Sequence, residues 1–196
     1  MQEKEKYQMI QDKISGCVFA GALGDALGYV VEFDLYSSIK NKYGKDGIQN
    51  LLRTGEEAII SDDTQMTLFT MEGMSVETED EVEEKIYLSY LKWAQTQGMS
   101  VKLPCDWPSR LAMVPKMNCR RAPGNTCLKY PYCIKKALIA AVNHSGDSDS
   151  TGAVAGNIIG AYLGMSAVPK DWMDRLELVD VMQEQIDDIM LMIRDR

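Results

Sequence analysis

Two acidic clusters stand far apart in this chain, Ser61-Asp62-Asp63-Thr64 and Asp147-Ser148-Asp149-Ser150-Thr151. Each sets paired carboxylates and small hydroxyls just ahead of an apolar, helix-like stretch. Carboxylates gathered in one place repel unless a cation neutralises them, and hard oxygen donors of this kind suit Mg²⁺ or Mn²⁺ rather than zinc. Taken singly, each cluster also reads as a helix N-cap, where Ser, Thr and Asp accept free backbone N–H groups and acids favour the dipole. Two adjacent aspartates point in different directions, so one can cap while the other reaches a metal.

The second cluster matches the opening of an EF-hand loop at Asp147, Asp149, Thr151 and Gly152. Ile158 stands where that loop needs a bidentate Glu, so the EF-hand reading fails. What remains is a loop presenting Asp147 and Asp149 on one side, with a helix starting at Ser150 or Thr151. Glu32 follows Asp25 by seven residues, which in a continuous helix places both on one face. Asp25, inside an apolar stretch, reads as a structural hydrogen-bonding group. His144 is the only histidine, and a lone loop histidine is a weak basis for imidazole chemistry. Arg120, Arg121 and the turn Ala122-Pro123-Gly124-Asn125-Thr126 can offer backbone N–H groups to a phosphate, or form a plain solvated loop.

The elements that must carry these groups read as helices. Residues 8 to 33 form a helix with small residues at every fourth position: Gly16, Ala20, Gly24 and Gly28. After the second acidic cluster the device recurs at Gly152, Gly156, Gly160 and Gly164. A glycine costs a helix interior about 1 kcal/mol relative to alanine, so two such ladders require a packing reason. Close approach of another helix backbone supplies one, and the two helices are expected at the centre, packed on each other or on a shared neighbour. Asp34 to Ile60 is turn-rich. Gln65 to Met74, Glu79 to Thr96, Lys135 to Val142 and Trp172 to Arg194 read as further helices. Pro104, Pro108, Pro115 and Pro123 break the stretch between into loops. With no alternating strand pattern, Rossmann fingerprint or Walker loop, the fold is expected to be all-α.

The chain has 196 residues, 45% of them hydrophobic and 26% charged, as in an ordinary globular domain. Its net charge of −8 argues against a nucleic-acid polymer as partner. No apolar run reaches the roughly 18 residues of a membrane span. The N-terminus is polar without a signal-peptide pattern, and Cys17, Cys105, Cys119, Cys127 and Cys133 make an odd set without zinc-ribbon spacing. Cytoplasmic location with free thiols is the expectation.

Four segments in chain order, GCVFAGALGDALGYVVEF (16–33), SDDTQMTLFT (61–70), RAPGNTC (121–127) and NHSGDSDSTGAVAGNIIGAYLG (143–164), resemble the ADP-ribosylglycohydrolase family. The closing W…LEL..D pattern, Trp172 to Asp180, is also similar. The resemblance implies an all-α, orthogonal multi-helix bundle around a central dinuclear Mg²⁺ or Mn²⁺ site. It implies ligands from Ser61, Asp62 and Asp63 on one side and from Asp147, Asp149 and Ser150 on the other. Glu32 matches the acidic residue placed over the substrate ribose, and Gly124 and Asn125 fall where phosphate or ribose contacts are expected. The implied reaction is metal-dependent hydrolysis of the N-glycosidic bond of an ADP-ribosyl group, on ADP-ribosylated arginine of a protein or a related small molecule, with Glu32 or Asp63 handling the water. A single domain over 1–196 is expected, with a family segment missing near 128–130. That gap leaves an alternative, a shortened non-catalytic paralogue that binds metal or ADP-ribose without turnover, and it leaves apolar surface that self-association could cover.

Overall fold

Helix α1 runs over Glu3–Tyr29 in this computed structural model, which describes residues 3–52, 57–121, 135, 138, 139, 142, 143 and 145–194. Residues 18–28 are buried on every face, as expected for a helix whose apolar and small residues surround its axis. Its partner is helix α5, Ser148–Leu163. The glycine ladders are the contact between them. A Cβ on Gly24 would stand 1.9 Å from the Gly152 carbonyl oxygen, and one on Gly156 would stand 1.9 Å from the Ala20 carbonyl oxygen. Gly160 and Gly28 meet Gly16 and Ser148 in the same way, so the helices run antiparallel with backbone against backbone. Of the two expected arrangements, direct packing is the one found.

Every described element is helical or irregular, and the chain is all-α apart from one isolated parallel bridge, Ala58 to Leu176. Further α-helices among the described residues are α2 (Tyr36–Tyr43), α3 (Asp62–Ser75), α4 (Val82–Thr96), α6 (Lys170–Met173) and α7 (Val179–Arg194). Among the described residues no helix is long and apolar enough to cross a membrane. Among the described residues Cys17, Cys105 and Cys119 are free thiols.

The chain divides into two compact units, Met1–Thr64 with Pro123–Val179, and Gln65–Ala122 with Asp180–Arg196. The first unit holds α1, α2, α5 and α6. In the second, α7 buries Val181, Met182, Gln185, Ile186, Ile189 and Met190, an i, i+3, i+4 stripe. There Gln65 gathers the surrounding chain: its side-chain oxygen accepts from Trp93 Nε1 at 3.2 Å and from Gln97 Nε2 at 3.0 Å.

Three expectations need correction. The first helix ends at Tyr29, not at residue 33, because the β-branched pair Val30-Val31 leads into a tight turn in which Val31 N–H donates to Gly28 O at 2.9 Å. Glu32 therefore sits on that turn, and the argument that it shares a helix face with Asp25 fails. The turn-rich stretch contains α2, rooted by the fully buried Ile39 and ended at Gly44, whose φ of 96° suits glycine. The closing helix is broken: between α6 and α7, Leu178 takes a φ of 59° and the chain pairs with Ala58. Of the expected helix from Lys135 to Val142, the described residues Lys135, Leu138, Ile139 and Val142 are helical.

Candidate functional site

The first acidic cluster is set in place by a buried carboxylate. Asp25, on α1 and fully buried, accepts the Ser61 backbone N–H at 2.9 Å on both oxygens, the Thr64 N–H at 3.2 Å, and the Thr64 hydroxyl. It thereby satisfies N–H groups at the start of α3 that the helix itself cannot use, and the structural role expected for it holds. Burial pushes Asp25 up to about 7, against the lowering effect of these donors. Ser61 adds a cap of its own, its hydroxyl accepting the Asp63 N–H at 3.1 Å. The approach to Ser61 is clamped from the break before α7. Ala58 N–H donates to Arg175 O at 2.8 Å, and the buried Glu177 accepts the Ile60 N–H at 2.8 Å.

The second cluster forms the start of α5. The helix begins at Ser148, earlier than the expected Ser150 or Thr151, so Asp149 lies in its first turn and not on an extended loop. Asp147 is the N-cap, one oxygen accepting the Ser150 N–H at 3.2 Å. The Thr151 hydroxyl donates to Asp147 O at 2.6 Å. Because Gly28 packs on Ser148 and Asp149, the ladder ends at the acidic cluster and brings it beside the turn carrying Glu32.

The fold brings the two clusters together. Ser150 Oγ donates to Asp63 Oδ2 at 2.5 Å. Around that bond Asp62, Asp149 and Glu32 are buried, at 1%, 0% and 3% exposure. Six buried side-chain polar atoms lack a hydrogen-bond partner among the described residues. Four of them belong here: Glu32 Oε1, Asp62 Oδ1, Asp147 Oδ2 and Asp149 Oδ2. An unmatched buried carboxylate oxygen is costly, and four on neighbouring residues call for a cation, protons or bound water.

The electrostatics agree. Burial raises Glu32 to about 7, and the further charges acting on it come from Asp147, Asp62, Asp63 and Asp25, all carboxylates. Asp62 and Asp63 are raised by burial, Asp63 being partly relieved by the Ser150 hydroxyl. Asp149 is raised well above the ordinary carboxylate range, by burial first and then by the neighbouring Asp147 carboxyl. Among the described residues no three acid, imidazole or thiol side chains are already arranged around one cation position. The site is thus a set of unmatched hard donors and not a closed coordination cage. That donor set fits Mg²⁺ or Mn²⁺ in kind.

Gly124, Asn125 and His144 lie outside the described residues. Two contributors carried no assigned role in the sequence reading. Thr64 shares Asp25 with Ser61, and Glu177 holds Ile60. The signal for each was its place within a quoted motif, SDDT and LEL.

A model of one family, ADP-ribosylglycohydrolase, matches residues 6–131 and 126–196, nearly the whole chain. The chain belongs to the ADP-ribosylglycohydrolase family. Over 44 residues this ADP-ribosylglycohydrolase-family chain is 43% identical to the ADP-ribosyl-[dinitrogen reductase] glycohydrolase of Rhodospirillum rubrum, covering 22% of the chain and 15% of that protein. Over 53 residues it is 42% identical to the ADP-ribosylarginine hydrolase Tri1 of Serratia proteamaculans (strain 568), covering 27% of the chain and 13% of that protein. These matches span well under a fifth of either relative's length. A solved chain described as an ADP-ribosylglycohydrolase-related protein complex superposes with a TM-score of 0.52 at 16% identity, over 94% of this chain and 99% of the other. At that identity the likeness shows a shared fold.

Proposed function

We propose that this chain is a divalent-metal-dependent hydrolase that frees ADP-ribose from an N-glycosidic linkage, with ADP-ribosylated arginine on a protein as the preferred substrate class and a related small ADP-ribosyl compound as the other. The observation that carries this reading is the set of four unpartnered buried carboxylate oxygens around the Ser150–Asp63 bond. Family membership and the names of the two relatives supply the substrate class.

Asp62, Asp63, Asp147 and Asp149, with the Ser61 and Ser150 hydroxyls, would hold two Mg²⁺ ions, or Mn²⁺ in their place. When bound, such a pair neutralises the carboxylates and orients ribose hydroxyls and a water. The chain's own groups do the rest. The buried setting of Asp62, Asp149 and Glu32 weakens solvent screening, so the remaining carboxylate charge acts strongly on the positive charge that develops at the anomeric carbon. Glu32 is the better base, since its Oε1 is unpartnered whereas Asp63 Oδ2 already accepts from Ser150. Raised to about 7, Glu32 can take a proton from water near neutral pH and return it to the leaving nitrogen. Cytoplasm, where the free thiols stay reduced, is the compartment this reading expects.

The test measures ADP-ribose release from an ADP-ribosylated arginine peptide with Mg²⁺, with chelator, and in Asp149→Asn. Turnover should need the metal and fall by about 100-fold or more in the variant. A chain that binds Mg²⁺ yet turns over none of several ADP-ribosyl substrates sinks the enzymatic claim.

A further inference from the structure

We infer that Glu177 is a positioning residue for the first acidic cluster. Its carboxylate completes a strand-like pairing that fixes the chain entering Ser61 and Asp62, and Mg²⁺ affinity depends on it. This rests on the reading of that cluster as metal ligands and adds a residue that acts on them from outside the ligand set.

Ala58, Ile60 and Ser61 are fully buried, and from Ile59 to Ser61 the chain is neither helix nor paired strand. Buried N–H groups in such a stretch need acceptors from elsewhere in the fold. Two buried carboxylates supply them at successive residues. Glu177 accepts the Ile60 N–H at 2.8 Å, and Asp25 accepts the Ser61 N–H at 2.9 Å.

The Glu177 bond has a definite place in the local pattern. Ala58 N–H donates to Arg175 O at 2.8 Å, and Glu177 N–H returns a bond to Ala58 O at 3.2 Å. These are two successive rungs of a parallel pair, centred on Ala58 and Leu176. The next rung of that pattern runs from Ile60 N–H to the main-chain carbonyl of Glu177. Here the acceptor is the Glu177 side chain, through Oε1. The main chain turns off at Leu178, whose φ of 59° is costly for a residue with a Cβ, and α7 begins at Val179. A side chain thus extends the pairing by one rung, up to the residue before Ser61. Burying a carboxylate costs more than burying an apolar side chain, so the bond accounts for the acid at this position.

The consequence falls on the ligands. Asp62 lies two residues beyond Ile60, and its Oδ1 is one of the unmatched buried oxygens. With the Ile60 and Ser61 N–H groups held by different carboxylates, the backbone leading into Asp62 cannot pivot without breaking one bond. A ligand whose direction is fixed before the ion arrives binds it more tightly.

Calorimetric titration of the full chain with Mg²⁺, alongside melting in chelator, tests this. Glu177→Ala should bind Mg²⁺ about tenfold more weakly, the effect usual for a group that orients a metal ligand. Glu177→Gln keeps an acceptor oxygen and should recover most of the affinity. Glu177→Asp keeps the charge but draws the acceptor back by one methylene, so it should behave as Glu177→Ala does. If Glu177→Ala does not fold, Glu177→Asp and Glu177→Gln decide. Wild-type Mg²⁺ affinity in Glu177→Ala or Glu177→Asp, whatever the melting temperature, overturns the positioning role. So does a Glu177→Gln chain that binds as weakly as Glu177→Asp. The expected order of Mg²⁺ affinities without turnover of any ADP-ribosyl substrate supports the positioning role and sinks the hydrolase reading alone. A wild-type chain that binds no Mg²⁺ overturns both.

Discussion

Ser150 Oγ lies 2.5 Å from Asp63 Oδ2, joining the first turn of α5 to the first turn of α3 across 87 residues of chain. It bonds the two acidic clusters directly, and it relieves part of the cost of burying Asp63. In Ser150→Ala that donor is lost. Stability should fall by about 1 kcal/mol, and Mg²⁺ affinity should fall by about tenfold, read by denaturant unfolding and calorimetry. Unchanged metal affinity would place Ser150 outside the ligand set.

Asp25 supports the site without belonging to it. Asp25→Ala leaves the Ser61 and Thr64 N–H groups and the Thr64 hydroxyl without their acceptor, a loss on the order of 3 kcal/mol or more. Asp25→Asn keeps one acceptor oxygen and should recover part of it. If Asp25→Ala melts at the wild-type temperature, the stapling role is wrong.

The ladder predicts intolerance to any side chain. On Gly156, even a methyl group would stand 1.9 Å from the Ala20 carbonyl oxygen, so Gly156→Ala should destabilise despite its better helix propensity. Gly156→Leu should cost about 1–3 kcal/mol or more by overpacking. A stable Gly156→Leu chain would refute close packing of α1 on α5.

Proton linkage gives a further expectation. Asp25 and Glu32 are raised from ordinary values of 3.8 and 4.5 to about 7 in the folded chain. A raised folded value means the folded state holds its protons more tightly. The associated stability is complete below the unfolded values and is lost as pH rises through about 7. Asp149, raised too, extends the loss to higher pH. The chelator-treated chain should therefore melt at a lower temperature at about pH 8 than at about pH 5, and Mg²⁺ should restore most of the difference. A melting temperature that rises over this range without metal contradicts the burial of these acids.

How much of this was legible beforehand depended on range. The glycine ladders showed a close backbone contact in advance, because a four-residue spacing marks one helix face and only small residues let two backbones meet there, while the structure decided that each ladder is the other's partner. Helix α2 was not legible. Its eight residues have no side-chain cap and one buried anchor, Ile39, and the ties holding its segment come from Asn143 and Ser145, about a hundred residues away. The break before α7 was hidden for the same reason, since residues 172–194 are locally compatible with one helix while Arg175, Leu176 and Glu177 answer to Ala58. The place of Glu32 was misjudged by extending α1 through Val30 and Val31.

Residue types alone were enough to mark the acidic clusters that contain Asp62, Asp63, Asp147 and Asp149, and the helices that follow them, because helix periodicity and acid–hydroxyl chemistry are local properties. Which of their oxygens are left unmatched, and that Glu32 turns inward beside them while Phe33 turns out, followed from the packing of α1 on α5. Burial and hydrogen-bond satisfaction belong to the folded surroundings of a group, and no spacing along the chain encodes them.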